Sequence, residues 1–254
     1  MRSIPIFVAP LAVMLTTCLN VSAEEFRIDT DVFVDEEVEP VIETLTIFSD
    51  GIVYDFLLNG VEEITLFDRK RQRLVLMDTQ RRVKTELSTD SILGFVAQMQ
   101  AHLNEAQRAF LLAEELEINS EDEEWISLGN DRVAYRAKGT KPKMHEAALE
   151  YHQFADWYAR LNAMRVGNLP PFARIRLNDE LAKRGLIPKT VERTVTRKKG
   201  LKEIKQTLRS QHLANWRLSS NDRKLIDKAG TYMAAFPTVS FREYLELPEA
   251  IARK

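Results

Sequence analysis

The residue types that could do chemistry are sparse in this chain, and their spacing is unhelpful. The segment HEAALEYH begins like a zinc-protease helix, in which two histidines four residues apart share one metal. Here His152 falls seven residues after His145, with Leu149 between them, and no acid completes a ligand set. Both read as surface or rim histidines, and His102 and His212 are isolated. Asp29 and Asp31 share a strand face, an arrangement used by glycosidase carboxylates or calcium sites. No EF-hand spacing accompanies them, so a solvated acidic face explains them more simply. There is no G-x-S-x-G elbow and no glycine-rich phosphate loop. No catalytic residue, metal ligand or cofactor is assigned on these grounds.

Apolar side chains in unusual places are more informative. Ile52, Tyr54, Phe56 and Leu58 line one side of a strand, while Val53 and Leu57 lie on the other. Phe67, Val75 and Met77 likewise oppose the main apolar sets of their own strands. A sheet with one wet face alternates more cleanly, so the second face is either covered by helices or lines a groove. Leu57, Phe67, Val75 and Met77 are the groove candidates on the sheet. Trp157 is the candidate on a helix, because it lies off the stripe of Tyr151, Phe154, Tyr158 and Leu161. The competing assignment for all five is packed core.

The elements that must position these residues follow from turn chemistry and periodicity. FRIDTDVFV, VIETLTIF, IVYDFLL, EITLF, RLVLM and RRVKTEL read as six strands with short connections, which makes an antiparallel meander. The basic residues Arg69, Lys70, Arg71, Arg81 and Arg82 fall at turns and strand starts. The stretch carries no aromatic platform for bases, which argues against nucleic acid. STDSILGFVAQMQAHLNEAQRAFLLAEELE reads as one amphipathic helix, with Ile92, Val96, Met99, Leu103, Ala106 and Phe110 in its stripe. A hairpin around Gly129-Asn130-Asp131 follows, then helices over 143–166 and 169–185. TVERTV and LKEIKQTLRSQHL form a long hairpin, and SSND caps a helix over 222–236, beyond which a frayed tail is expected. Helices lie between hairpins and not in β-α-β alternation. The expected fold is a single α+β domain over 24–254, a curved antiparallel sheet resembling a half-barrel, with amphipathic helices packed on it.

Charge and the N-terminus bound the rest. The 254 residues carry a formal charge of −2, which gives no global drive toward nucleic acid. Acids dominate from Glu24 to Glu63 and bases from Lys183 to Arg209, so the first strands and the last hairpin are expected to be neighbours. Residues 1–23 read as a signal peptide: Arg2, an apolar run, then Val21-Ser22-Ala23 before a cleavage site. Cys18, the chain's one cysteine, lies inside that segment. Processing would leave a secreted or periplasmic protein with no disulfide and no membrane span.

ITLFDRKRQRLVLMDTQRRVKTEL resembles the repeated strand, Asp turn and strand segment of LolA/LolB-like lipoprotein carriers, half-barrels with a helical lid around a hydrophobic cavity. The span from FSDGIVYDF to FADWYARLNAMRVGNLPPFARIRLNDELAKRG resembles uncharacterised secreted proteins of planctomycete bacteria. The carrier resemblance implies a non-catalytic binding protein whose partner is a lipid or lipoprotein acyl chain held between sheet and helices. The carriers begin with a helix, whereas this chain begins, after residue 23, with a strand. The alternative is a cell-envelope scaffold or interaction module with a filled core. A hydrolase using the acidic strand face ranks third.

Overall fold

The computed structural model describes residues 24–60, 62–105, 108, 117–119, 125–199 and 202–246. The meander forms as the turn signals require. β1 (Phe26–Val34), β2 (Ile42–Ser49), β3 (Ile52–Leu57), β4 (Glu63–Asp68), β5 (Arg73–Asp78) and β6 (Val83–Ser88) pair in sequence order. Asp50 and Gly51, at φ 53° and 75°, make the two-residue β2–β3 hairpin with both central residues left-handed, the geometry that matches strand twist.

The next two turns are copies of one device. Asp68 accepts from the Arg71 backbone N–H, and Asp78 from that of Arg81. Each carboxylate also takes its own turn's guanidinium, at 2.8 Å from Arg71 and 2.7 Å from Arg81. Gln72 and Arg82 end the turns in the left-handed region. Most of the basic stretch therefore closes hairpins. Arg81 and Arg82 belong to the turn, and β6 starts at Val83.

α1 (Thr89–Ala101) is capped by Ser88, whose side chain accepts from the Ser91 N–H. The single helix expected over 88–117 is shorter than its periodicity suggests. The His102 ring bonds the Gln98 carbonyl at 2.7 Å and closes the last turn. Glu117 belongs to a strand, while Ala106 and Phe110 lie outside the described residues. The chain continues with β7 (Glu117–Asn119), β8 (Trp125–Gly129), β9 (Val133–Thr140), α2 (Ala147–Ala163), α3 (Phe172–Lys183), β10 (Ile187–Lys199) and β11 (Lys202–Asn215). α4 (Ser220–Ala235) has a capping box of Ser219 and Asp222, and α5 (Phe241–Leu245) ends the described chain.

Among the described residues eleven strands form one open antiparallel sheet, ordered β6-β5-β4-β3-β2-β1-β11-β10-β9-β8-β7. Two sequential meanders thus meet where the first strand pairs with the last, Arg27 opposite Asn215 and Val34 opposite Leu208. The acidic and basic blocks are neighbours, as charge suggests. Acid does not face base there, however: Asp29 is opposite Leu213 and Asp31 opposite Gln211.

Helices cover both faces of the N-terminal meander. One face, carrying Phe48, Val53, Phe67 and Leu74, packs against α1 and α2. The other, carrying Ile47, Phe56, Val75 and Met77, packs under α4 through Ala229 and Phe236. On the C-terminal meander, α3 lays Ala173, Leu177 and Leu181 against Ile126 and Ala137. The described residues after Phe236 stay packed against the sheet as far as Glu246, and the rest of the tail expected to fray lies outside the described residues. Lys84 and the segment from Pro237 to Val239 exchange backbone hydrogen bonds along the edge of β6. Tyr244 is buried and donates to Glu63.

Candidate ligand-binding cavity

Antiparallel register decides which side chains share a face. Thr65, Asp55 and Thr46 stand opposite one another across β4, β3 and β2. Leu57, Thr44, Thr30 and His212 form the next row, which crosses the β1–β11 seam. Val191 and Ser210 are opposite each other across β10 and β11, and Arg193 is opposite both Leu208 and Tyr135. These rows form one wall of a cavity of about 510 Å³. Facing them, α2 contributes Tyr151, Phe154 and Tyr158, and the following loop contributes Arg165, Asn168 and Leu169. Pro171 and Arg174, at the start of α3, complete that side.

The lining is amphipathic. Val32, Ile42, Leu57, Leu208 and Leu169 give apolar surface, while threonines, tyrosines, two carboxylates and three guanidiniums give polar surface. The carboxylates have partners. Thr46 donates to Asp55 at 2.6 Å. Burial pushes the Asp55 carboxyl up to about 6, against bonds from Thr46 and Tyr158, with Glu63 adding repulsion. Glu63 is held by Arg165 and by the Tyr244 hydroxyl at 2.9 Å. Proximity to Asp55, and then burial, raise the Tyr158 phenol well above its usual value.

His212 borders the cavity with one ring nitrogen 3.1 Å from the Thr30 hydroxyl and the other 2.9 Å from that of Ser210. Burial, with Arg174 nearby, lowers its pKa to about 3. It is a neutral hydrogen-bonding group at physiological pH and carries no charge for binding or catalysis there.

Of the five groove candidates, Leu57 lines the cavity. Phe67 and Trp157 pack against each other, ring centroids 6.3 Å apart, in the core beneath α2. Val75 and Met77 do not share their face. Phe67 is opposite Leu74, so Val75 and Met77 turn to the α4 side and are fully buried there. The spacing within each strand sorts its side chains onto two faces, but which faces of neighbouring strands coincide depends on pairing register, which the turns set.

The other chemical candidates disperse. Asp29 and Asp31 lie on the face away from the cavity, Asp29 held by Arg27 and Asn215. His145 is exposed beside Glu146, and His152 lies 3.8 Å from both Asp156 and Asp179. Among the described residues no three His, Cys, Asp or Glu side chains are placed to hold a metal. Asp55, Arg193 and His212 were missed by motif reading. A local signal for two of them exists: Asp55 sits between Val53 and Leu57, and Arg193 between Val191 and Val195. A charge flanked by apolar residues at both second neighbours shares their face.

No protein-family model and no curated protein matches the sequence. Among solved structures, the chain is similar to a porin-like protein from Bacteroides uniformis ATCC 8492, at 10% identity over 76% of this chain and 97% of that one, with a TM-score of 0.24. Among the described residues no helix is long and apolar enough to cross a membrane.

Proposed function

We propose that the chain is a secreted or periplasmic binding protein that holds a molecule with an apolar body, such as an acyl chain, in the cavity between sheet and helices. The observation that carries this reading is the cavity itself. Its volume of about 510 Å³ falls within the range of roughly 300–1,000 Å³ usual for small-molecule sites. Leu57, Ile42, Val32 and Leu169 give an apolar body a place to lie. The site performs no reaction in this reading. The interaction-module alternative requires a filled core, and the cavity counts against it.

Native mass spectrometry of protein purified from its own envelope tests binding directly. A co-purified amphiphile, released on unfolding, is expected. An empty protein that also takes up no saturating amount of decanoate would exclude the carrier role. Export rests on residues 1–23, and N-terminal sequencing of exported protein should begin at Glu24. An intact Met1 or a lipidated Cys18 would overturn that assignment.

A further inference from the structure

We propose that the cavity takes an amphiphile bearing a single oxyanion, a carboxylate or a phosphate, and that Arg174 and Arg193 receive that group. This deepens the carrier reading and rests on it. Three guanidiniums line the cavity against two carboxylates, Asp55 and Glu63, a surplus of one positive charge. The carboxylates are already satisfied, Glu63 by Arg165 and Tyr244, and Asp55 by Thr46. Among the described residues neither Arg174 nor Arg193 has a carboxylate within ion-pair distance. Arg174 bonds the neutral Tyr151 hydroxyl. The Arg193 Nε is buried with no hydrogen-bond partner, as is that of Arg165, but Arg165 has the Glu63 carboxylate and Arg193 gains most from an acceptor in the cavity.

The start of α3 adds to the same field. Arg174 is its third residue, no acid lies in the first turn, and Pro171 supplies no side-chain cap. A guanidinium beside the positive end of a helix is repelled by it. An anion in the cavity removes that repulsion and satisfies both. The neutral His212, Ser210 and Thr30 cluster adds hydrogen-bonding capacity without a competing charge.

The test compares decanoate, decyl phosphate, decanol and decylamine by titration calorimetry, all below their micelle concentrations at neutral pH. The two anions should bind roughly tenfold or more tightly than the alcohol, the size of one charge-assisted hydrogen bond, and the tighter of them identifies the head group. In the doubly substituted Arg174→Gln/Arg193→Gln protein that preference should vanish while decanol binding stays within about twofold. The Arg174→Lys/Arg193→Lys protein, checked for folding by thermal unfolding, should retain part of it. Binding of decanol as tight as that of both anions, or tighter binding of decylamine, overturns the oxyanion site and leaves the carrier reading standing. Absence of saturable binding for all four overturns both.

Discussion

The Thr46 hydroxyl and the Asp55 carboxylate face each other across the β2–β3 ladder at 2.6 Å, inside the cavity wall. The hydrogen bonds from Thr46 and Tyr158 do not offset burial, so Asp55 holds its proton up to about pH 6, against 3.8 for an unperturbed aspartate. The folded state therefore binds more protons than the unfolded state between those values. The contribution of Asp55 to stability falls as pH rises through that window. The shift corresponds to at most roughly 3 kcal/mol. Asp55→Asn should gain on the wild type from pH 4 to 7 in urea unfolding and match it below pH 4. A difference independent of pH would show that Asp55 is not the group responsible.

His212 acts in the opposite sense. Its folded pKa of about 3 lies below the ordinary 6.5, so the stability it confers is complete above 6.5 and is lost as pH falls toward 3. His212→Gln should cost stability at pH 7 through the Thr30 and Ser210 hydrogen bonds. That cost should shrink on acidification, by up to about 5 kcal/mol over the full window. A cost that stays constant from pH 7 to 4 would contradict the buried, neutral ring.

Leu57 and Met77 separate cavity from core. Met77 is fully buried under α4, and Met77→Ala should cost about 2–5 kcal/mol. Leu57 already borders open space, so Leu57→Ala should cost less than about 1.5 kcal/mol and weaken decanoate binding severalfold. Equal destabilisation by the two, with unchanged binding, would remove Leu57 from the site.

The basic stretch separates into two roles. Lys70 is exposed, and Lys70→Gln should change stability by less than about 0.5 kcal/mol. Arg81 pairs with Asp78, donates to the Tyr244 and Glu246 carbonyls and lies 5.2 Å from the Tyr244 ring centre. Arg81→Ala should cost about 1–3 kcal/mol and expose the segment after Phe236 to proteolysis. Equal tolerance of both substitutions would show that the α5 latch contributes nothing.

Local signals carried most of the architecture. Asp50-Gly51, the alternation in each strand and the Ser88 cap lie within a few residues of what they specify, and the six-strand meander follows from them. Long-range geometry was less accessible. β5 reads LVLM, apolar on both faces, and only its register with β4 sends Leu74 and Leu76 one way and Val75 and Met77 the other. The charge blocks did announce that the first strand and last hairpin adjoin, although the ladder there is not built from ion pairs. His212 comes within reach of Thr30 only through that pairing, so no motif search could assemble the two.

Joining the first strand to the last has a consequence for how the molecule comes into being. The edge of β1 stays unpaired until some 180 further residues have been made, Thr30 waiting for His212. Such a seam closes late, because distant segments pay a larger loop-closure entropy. Thr30 and Val32 lie on one side of it and Leu208, Ser210 and His212 on the other, all of them cavity wall. The cavity wall is thus completed only when this seam closes. Before that pairing forms, the two halves of the wall stand apart, so the cavity exists only as a product of the joining of the two meanders.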